Sequence, residues 1–297
     1  MLPIVLETQA SRATIASDAG GRLHQLEVFD GTAWLELLFS PDDPAAARAR
    51  PMATGSFPMA PWPNRIADGR LTWRGKTYEL PRNLGGHAIH GTTFTRPWRV
   101  EHADGGTCRI SLELGEPWPW RGRVVQEFSL EFAALRMTIE VHADDEPFPA
   151  GAGWHPYFRR DVRPACEARV HVPAATRYET ADMIPTGRIV PVDSTPADLR
   201  RCPEVGGRRI DVCYPQPDGP LRARWADVEL AMEQSPELSH AVVYTAGHAF
   251  CLEPQTCAID AFNLSERGVE GTGTVVVEPG RPLVATSVWR WTCGDGK

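Results

Sequence analysis

The sequence predicts an all-β protein built as one large antiparallel β-sandwich. Apolar residues alternate with polar ones over several stretches, which is the pattern of strands with one buried face and one solvated face. Glycine (26 residues) and proline (27 residues) are spread along the 297-residue chain, as many turns require, and are not gathered into a linker. Helical patterns are few and short. We therefore expect a single domain over residues 1–297, with two large sheets packed face to face.

Three pairs of strand-like segments predict β-hairpins, because a short link separates the members of each pair. The paired segments are residues 70–73 with 77–80, residues 128–132 with 137–141, and residues 274–277 with 283–289. Two short helices are also expected. Residues 42–50 have the length of two helical turns. Thr195 is suited to cap a helix that starts with Pro196, which predicts a helix over residues 195–199.

The composition favours a neutral small molecule as the partner. The formal net charge is −7 and no run of Lys or Arg is present, which argues against nucleic acid or an anionic membrane. No apolar stretch is long enough to span a bilayer, and the first residues lack the basic region of a signal peptide. Seven cysteines, an odd number without clustering, predict reduced thiols in a cytoplasmic protein.

Three residues capable of proton transfer lie in unusual local sequences. Glu253 follows the apolar residues 249–252, so burial is expected to raise its pKa and make it a usable base. His155 precedes a proline, which holds its backbone extended, and two aromatic residues follow. His90 precedes a glycine, which permits positive φ or a close approach to a ligand. For each residue alone, a strand-end ion pair or a structural hydrogen bond is the alternative.

Two further polar residues are candidates for substrate binding. Arg65 lies in a proline-stiffened segment, where its guanidinium can donate forked hydrogen bonds to vicinal hydroxyls or pair with a structural carboxylate. Asp211 is a candidate hydroxyl acceptor at a strand end. His87 and His90 have a spacing found in some metal sites. No second Cys or His pair completes the ligand set, so no metal is predicted.

Short segments distributed along the chain resemble the aldose 1-epimerase (galactose mutarotase) family. They occur in the family's order and extend from the first quarter of the chain to the last. The segments are PNRI (63–66), DGR (68–70), WRG (73–75), HAIHG (87–91), GWHPYF (153–158), VYT (243–245), CLEPQT (251–256), AFNL (261–264) and EPG (278–280). No single segment is decisive, but the ordered set is specific.

The resemblance implies a galactose-mutarotase-like supersandwich and interconversion of the α and β anomers of an aldose. Glu253 would be the general base on the anomeric hydroxyl, and His155 would be the general acid on the ring oxygen. His90 would donate a hydrogen bond near that oxygen. The chemistry requires no cofactor.

Substrate-binding residues also follow from the resemblance. Arg65, Asp211 and Asn64 would hold the other sugar hydroxyls. Galactose-specific members carry a Gln just before the Tyr-Thr pair, whereas apolar residues, including Val242, precede Tyr244 here. An apolar side chain cannot replace that hydrogen bond, so a preference for galactose is not expected.

Other functions remain open at this stage. A hexose-6-phosphate 1-epimerase on the same fold would need additional cations, for which Arg82, Arg96 and Arg159 are candidates. A non-catalytic sugar-binding or sensing protein would not need a Glu and two His in acid–base positions. A polysaccharide lyase or hydrolase would favour a long aromatic-lined groove and, for hydrolysis, paired carboxylates, and only one carboxylate is well supported. The expected ligand is a monosaccharide, bound by a monomer or homodimer.

Overall fold

The computed structural model describes residues 2–164 and 166–294, and within them it confirms the large antiparallel β-sandwich. In chain order the strands are β1 (Ile4–Glu7), β2 (Ser11–Ala16), β3 (Arg22–Phe29), β4 (Trp34–Glu36), β5 (Ser56–Met59), β6 (Arg65–Ile66), β7 (Arg70–Trp73), β8 (Lys76–Glu79), β9 (Ala88–Ile89), β10 (Arg99–Ala103), β11 (Thr107–Leu114), β12 (Gly122–Glu131), β13 (Ala134–Ala143), β14 (Phe148–Ala150), β15 (Gly153–Arg159), β16 (Arg169–His171), β17 (Thr176–Ala181), β18 (Ile184–Pro191), β19 (Asp211–Pro215), β20 (Leu221–Trp225), β21 (Val228–Gln234), β22 (His240–Thr245), β23 (Ala249–Gln255), β24 (Val275–Val277) and β25 (Leu283–Cys293). The helices of the described ranges are α1 (Ala261–Glu266) and 3-10 turns at Ser17–Ala19, Pro44–Ala49 and Ala67–Gly69.

Two large sheets contain most of the described strands. The first sheet has nine strands in the described chain, in the order β1-β2-β3-β5-β15-β23-β22-β19, with β4 paired to β3. The second sheet has eight within the same ranges, in the order β10-β11-β12-β13-β25-β21-β20-β16. The other strands form the pairs β6–β9, β7–β8, β14–β24 and β17–β18.

One face of the first sheet packs into the core between the two sheets, because successive side chains of a strand point to opposite faces. In β15, Trp154 donates from Nε1 to Gln126 Oε1 of β12 at 3.0 Å. Phe158 packs against a tryptophan ring of β25, with the ring centroids 5.4 Å apart. Burying an aromatic side chain in this way stabilises the fold by about 1.5–3 kcal/mol. Because successive strand residues alternate, His155 and Tyr157 lie on the other face of the sheet.

Two of the three predicted hairpins are confirmed. β7 and β8 pair across Arg74 and Gly75, whose φ values of 50° and 72° fit a type I′ turn. β12 and β13 also pair directly. The third hairpin is wrong, because β24 pairs with β14 while β25 lies between β13 and β21. The segments do form strands, but their partners are distant in sequence, and a local pattern does not reveal them.

Both predicted helices require correction. Over residues 42–50, the chain forms a single 3-10 helix at Pro44–Ala49, in which Asp43 caps the N-terminus by accepting from the Ala45 amide at 2.9 Å. Residues 195–199 form turns instead of a helix. The Thr195 hydroxyl accepts from the Ala197 amide at 3.2 Å, as a cap would, and donates to the Val192 carbonyl at 2.6 Å, but no helix follows.

The helix that the described chain does contain, α1, was not predicted from periodicity. It is six residues long, which is too short for a clear helical repeat. None of the helices in the described ranges has the length and apolar character needed to cross a membrane.

Candidate active site

Two adjacent central strands of the first sheet position His155 and Glu253. Gly153 pairs with Gln255 and Tyr157 pairs with Cys251, so His155 on β15 lies directly opposite Glu253 on β23. The His155 Nε2 atom is 3.3 Å from Glu253 Oε1, and the two side chains are 6% and 1% exposed. The structure therefore brings together the predicted acid and the predicted base.

Aromatic rings fix the orientation of the His155 imidazole. It stacks between Phe57, at a centroid distance of 4.8 Å, and Tyr157, also at 4.8 Å. The His90 ring meets it edge-on at 4.9 Å with an interplanar angle of 89°. These apolar faces exclude water from the imidazole and leave only its edge for proton exchange.

His90 reaches the site because the backbone turns sharply around it. His90 and Gly91 have φ values of 63° and 74°. A Cβ atom at Gly91 would lie 1.9 Å from the Ala60 carbonyl oxygen, so the position requires glycine. Gly91 therefore permits a close approach to the backbone at Ala60. The His90 amide donates to the Asn64 carbonyl at 2.9 Å, which ties it to the segment containing Arg65.

Arg65 and Asp211 lie next to each other. Arg65 Nη2 is 3.6 Å from Asp211 Oδ2, and these side chains are 12% and 26% exposed. Asn64 Oδ1 accepts from both the amide and the Nη1 atom of Arg65, each at 3.0 Å. Asn64 therefore orients Arg65, and the distance to Asp211 is that of a loose ion pair beyond hydrogen-bond reach.

One cavity of about 300 Å³ contains all six predicted site residues. They are Asn64, Arg65, His90, His155, Asp211 and Glu253. The volume is at the lower end of the range for small-molecule sites. Among the described residues that line it, Arg65 is the only cation. Arg82, Arg96 and Arg159 do not line this cavity, and neither does His87, whose Nδ1 accepts from the Asp68 amide at 3.0 Å.

Burial favours the neutral forms of the acid–base residues. It raises the pKa of Glu253 well above its usual range, and the charge of Asp211 adds to this effect while Arg65 opposes it. Burial lowers the pKa of His155 to about 3. The pKa of His90 is also lowered, by burial first and then by His155 and Arg65. The direction for Glu253 is the one its apolar flanking sequence predicts.

Sequence reasoning did not identify several cavity residues. They are Met52, Leu84, Ile89, Met183 and Tyr244, with Tyr157 suggested only as an aromatic neighbour. Met183 is at the tip of the β17–β18 hairpin, and Arg65 Nη2 lies 3.7 Å from its Sδ atom. Tyr244 could have been found from strand alternation, because it is two residues after Val242 on the same face.

Val242 lies on the same face of the sheet as Glu253. It is the cross-strand neighbour of Glu253 on β22 and is 1% exposed. A longer polar side chain at this position would therefore extend beside Glu253. Valine provides no hydrogen bond there.

Residues 4–287 match the model of the family described as Aldose 1-epimerase. The chain belongs to the aldose 1-epimerase family.

Individual relatives agree with this assignment at differing coverage. The uncharacterised Escherichia coli (strain K12) protein YphB is 34% identical over 106 residues, which cover 34% of this chain and 36% of that protein. Mus musculus galactose mutarotase is 32% identical over 152 residues, covering 48% and 44%. The chain thus spans less than half the length of either relative. A solved GalM/aldose epimerase homologue from C. elegans has the same fold, with a TM-score of 0.85, 19% identity and 99% coverage of both chains.

Proposed function

We propose that the protein is an aldose 1-epimerase that interconverts the α and β anomers of an aldohexose by acid–base ring opening, without a cofactor. The observation that supports this most is the buried His155–Glu253 pair, with 3.3 Å between Nε2 and Oε1, in the wall of a small cavity. Opening a hemiacetal ring requires one group that accepts a proton and another that donates one. The pair provides both groups.

Ring opening starts with Glu253 as a carboxylate and His155 as an imidazolium. Glu253 takes the proton of the anomeric hydroxyl, while His155 donates a proton to the ring oxygen. The bond between the anomeric carbon and the ring oxygen breaks, and an open-chain aldehyde forms. Rotation about the adjacent carbon–carbon bond exposes the other carbonyl face. Reversal of both proton transfers then closes the ring as the other anomer.

The two residues conserve protons over the cycle. A carboxylate with an imidazolium holds as many protons as a neutral carboxyl with a neutral imidazole. Burial favours the second arrangement in the free site, and that arrangement is also the product of ring opening. The substrate therefore redistributes protons within the pair, and no exchange with solvent is needed in the chemical steps. Each transfer contributes about 10²–10⁴-fold to the rate.

The surrounding residues bind and orient the sugar in this proposal. His90 lies edge-on to His155 and is assigned a hydrogen bond near the ring oxygen. Arg65, held by Asn64, donates to neighbouring hydroxyls, and Asp211 accepts from one. The 3.6 Å separation of Arg65 and Asp211 leaves both groups available to a ligand.

Galactose is not expected to be the preferred aldohexose. Val242, beside Glu253, lacks the amide that a galactose-specific member uses. We expect Val242→Gln to raise the ratio of kcat/KM for galactose to that for glucose by about 2–10-fold, the value of one added hydrogen bond. Val242→Ala is the control for altered volume. An equal change in both variants would contradict this account of sugar choice.

The phosphorylated alternative has less support at this cavity. Arg82, Arg96 and Arg159 are absent from its lining, and Arg159 pairs with Glu36 at 2.8 Å. A purely binding role would not require His155 and Glu253 to be buried against each other. A monosaccharide partner and a cytoplasmic location, for which the seven free cysteines are the argument, complete the proposal.

The direct test is anomer exchange measured by polarimetry or NMR on freshly dissolved sugars. The panel contains α-glucose, α-galactose and glucose 6-phosphate. We expect the protein to accelerate exchange of a neutral aldohexose above the spontaneous rate. Acceleration of glucose 6-phosphate alone would favour the phosphorylated alternative, and no acceleration of any sugar would favour a binding protein.

A further inference from the structure

A second cavity, the side groove, lies next to the candidate active site and shares two residues with it. The side groove is lined by residues 206–211, residues 244–247 and Arg160, and its volume is about 540 Å³. Asp211 and Tyr244, which are cross-strand neighbours on β19 and β22, line both cavities. Tyr244 is 36% exposed. A ligand anchored at Glu253 can therefore extend over the Tyr244 ring into the side groove.

Arg160 holds the walls of the side groove together. Its guanidinium donates to the carbonyl of Gly247 at 3.3 Å on one wall and to the carbonyl of Gly206 on the other. Glu167 Oε1 lies 2.8 Å from Arg160 Nη2 and balances the charge. Arg160 is thus a structural residue of the groove and does not provide free positive charge.

Arg208 and Arg209 give the side groove its positive charge. Arg208 is held by backbone carbonyls, those of Glu204 at 2.9 Å and Pro196 at 3.2 Å, which orient it without cancelling its charge. Arg209 is exposed. Within the described chain, the carboxylate that lines the groove is Asp211, which already faces Arg65. On a protein with a net charge of −7, two arginines without a carboxylate partner in the described ranges form a distinct anion-attracting surface.

This combination of groups has a specific ligand chemistry. Guanidinium groups bind carboxylate and phosphate oxygens through charge-assisted, often paired hydrogen bonds. An exposed tyrosine ring provides a flat apolar surface with a polar edge, which suits the face of a sugar ring. The side groove meets the active-site cavity at Tyr244 and Asp211. The arginines and the tyrosine ring therefore lie next to the reacting end of an aldose bound in that cavity.

We propose that the side groove is a subsite for the remote part of a larger aldose, in which a second sugar residue or substituent crosses Tyr244 and presents an anionic group to Arg208 and Arg209. The anionic group is a carboxylate or a phosphate. This inference rests on the proposed function, because the reducing end of the same molecule occupies the cavity of Glu253 and His155.

The experiment compares substrates that differ only in charge. Anomer exchange is measured for a neutral reducing disaccharide and for two counterparts, one with a uronic acid and one with a phosphorylated sugar as the non-reducing residue. We expect kcat/KM to be about 3–10-fold higher for an acidic substrate than for its neutral counterpart, which is modest because the groove is solvated. The ratio should decrease toward one in about 0.5 M salt. The acidic substrate with the higher ratio of kcat/KM shows whether the bound anion is a carboxylate or a phosphate.

Two variants and a control separate the subsite from a general charge effect. Arg208→Ala and Arg209→Ala should each reduce the acidic-to-neutral ratio, and together they should bring it close to one. Arg99→Ala, which removes an exposed arginine of β10 on the second sheet, should leave the ratio unchanged. A wild-type ratio of one, or a ratio that survives the double substitution, would overturn the proposal.

Failure of the subsite can be distinguished from failure of the proposed function. Binding of the acidic and neutral disaccharides is measured in parallel by saturation-transfer NMR, which needs no turnover. A protein that exchanges no aldose but binds the acidic disaccharide through Arg208 and Arg209 would retain the subsite and lose the proposed activity. A protein that exchanges neutral sugars but shows no charge preference in either measurement would lose only the subsite.

Discussion

Two His–Glu pairs on the two large sheets have the same residue types and very different surroundings. On the second sheet, His142 Nε2 lies 2.7 Å from Glu140 Oε2, and the side chains are 21% and 18% exposed. On the first sheet, His155 and Glu253 are 3.3 Å apart, with 6% and 1% exposure. Burial, more than residue type, distinguishes a surface ion pair from a pair suited to proton transfer.

Neighbouring cations strengthen the contrast. Arg109 contacts Glu140 at 3.1 Å and also pairs with Glu101 and Glu127, so charged groups compensate each other on that surface. Glu253 Oε2 and His155 Nδ1 have no hydrogen-bond partner among the described residues. A solvated pair of the first kind contributes about 0–1 kcal/mol to stability. A buried pair without full hydrogen bonding is costly to ionise, which is typical of functional sites.

The largest expected difference between the two His–Glu pairs is in kcat. His155→Gln removes the proton donor while keeping a hydrogen-bonding side chain, so kcat for anomer exchange should decrease by about 10²–10⁴-fold. His142→Gln, the matched change on the second sheet, should leave kcat within about twofold, as is usual for surface substitutions. Stopped-flow polarimetry of both variants is the measurement. Similar losses in the two variants would show that burial does not distinguish the pairs.

A smaller effect is expected from the charged group that faces Arg65. Asp211→Asn removes a charged hydrogen-bond acceptor for a sugar hydroxyl, worth about 1.5–3 kcal/mol, so KM should increase by about 10–100-fold. Glu101→Gln, which removes one carboxylate beside Arg109, should leave KM unchanged. An unchanged KM in Asp211→Asn would remove Asp211 from the binding site.

The smallest expected effect is on folding stability. Replacing the glutamate should stabilise the fold at Glu253 and destabilise it at Glu140. Burial raises the pKa of Glu253 above 4.5, the value for an exposed glutamate. Above that pH the unfolded chain releases the proton while the folded chain retains it, so folding stability decreases as pH rises through the interval between the two pKa values. Glu253→Gln removes this penalty and should stabilise the fold near pH 8, with no gain near pH 4.

Thermal unfolding across this pH range measures the difference. The lowered pKa of His155 destabilises the fold below its normal pKa of 6.5 in both proteins, so each variant is compared with wild type at the same pH. Glu140→Gln should instead destabilise by less than about 1 kcal/mol, because it removes a surface ion pair. A lower melting temperature for Glu253→Gln at pH 8 would contradict the assigned burial cost.

Local sequence marked Glu253, His155 and His90 as candidates for proton transfer, and the ordered set of family-like segments supplied their predicted roles. Glu253 follows an apolar strand and His155 precedes Pro156 and aromatic residues, and both signals depend only on neighbours in the chain. The structure adds that strand register brings these two residues opposite each other. This explains why two of the three weak local signals lie in one cavity, which His90 reaches through the turn at His90 and Gly91.

Contacts between distant segments could not be predicted from local sequence. Met183 reaches the cavity from the tip of β17–β18, and no local pattern links it to Arg65. The pairing of β24 with β14 was missed for the same reason. The side groove depends on Arg160 joining two loops, a contact that exists only after folding.

The most direct test of the central claim is anomer exchange by Glu253→Gln, measured beside Glu140→Gln on the sugar that wild type exchanges fastest. Both variants are first checked for native circular dichroism and thermal stability. We predict that Glu253→Gln loses about 10²–10⁴-fold in kcat, while Glu140→Gln retains wild-type exchange. Exchange at the wild-type rate in a folded Glu253→Gln protein would contradict the assignment of Glu253 as the base.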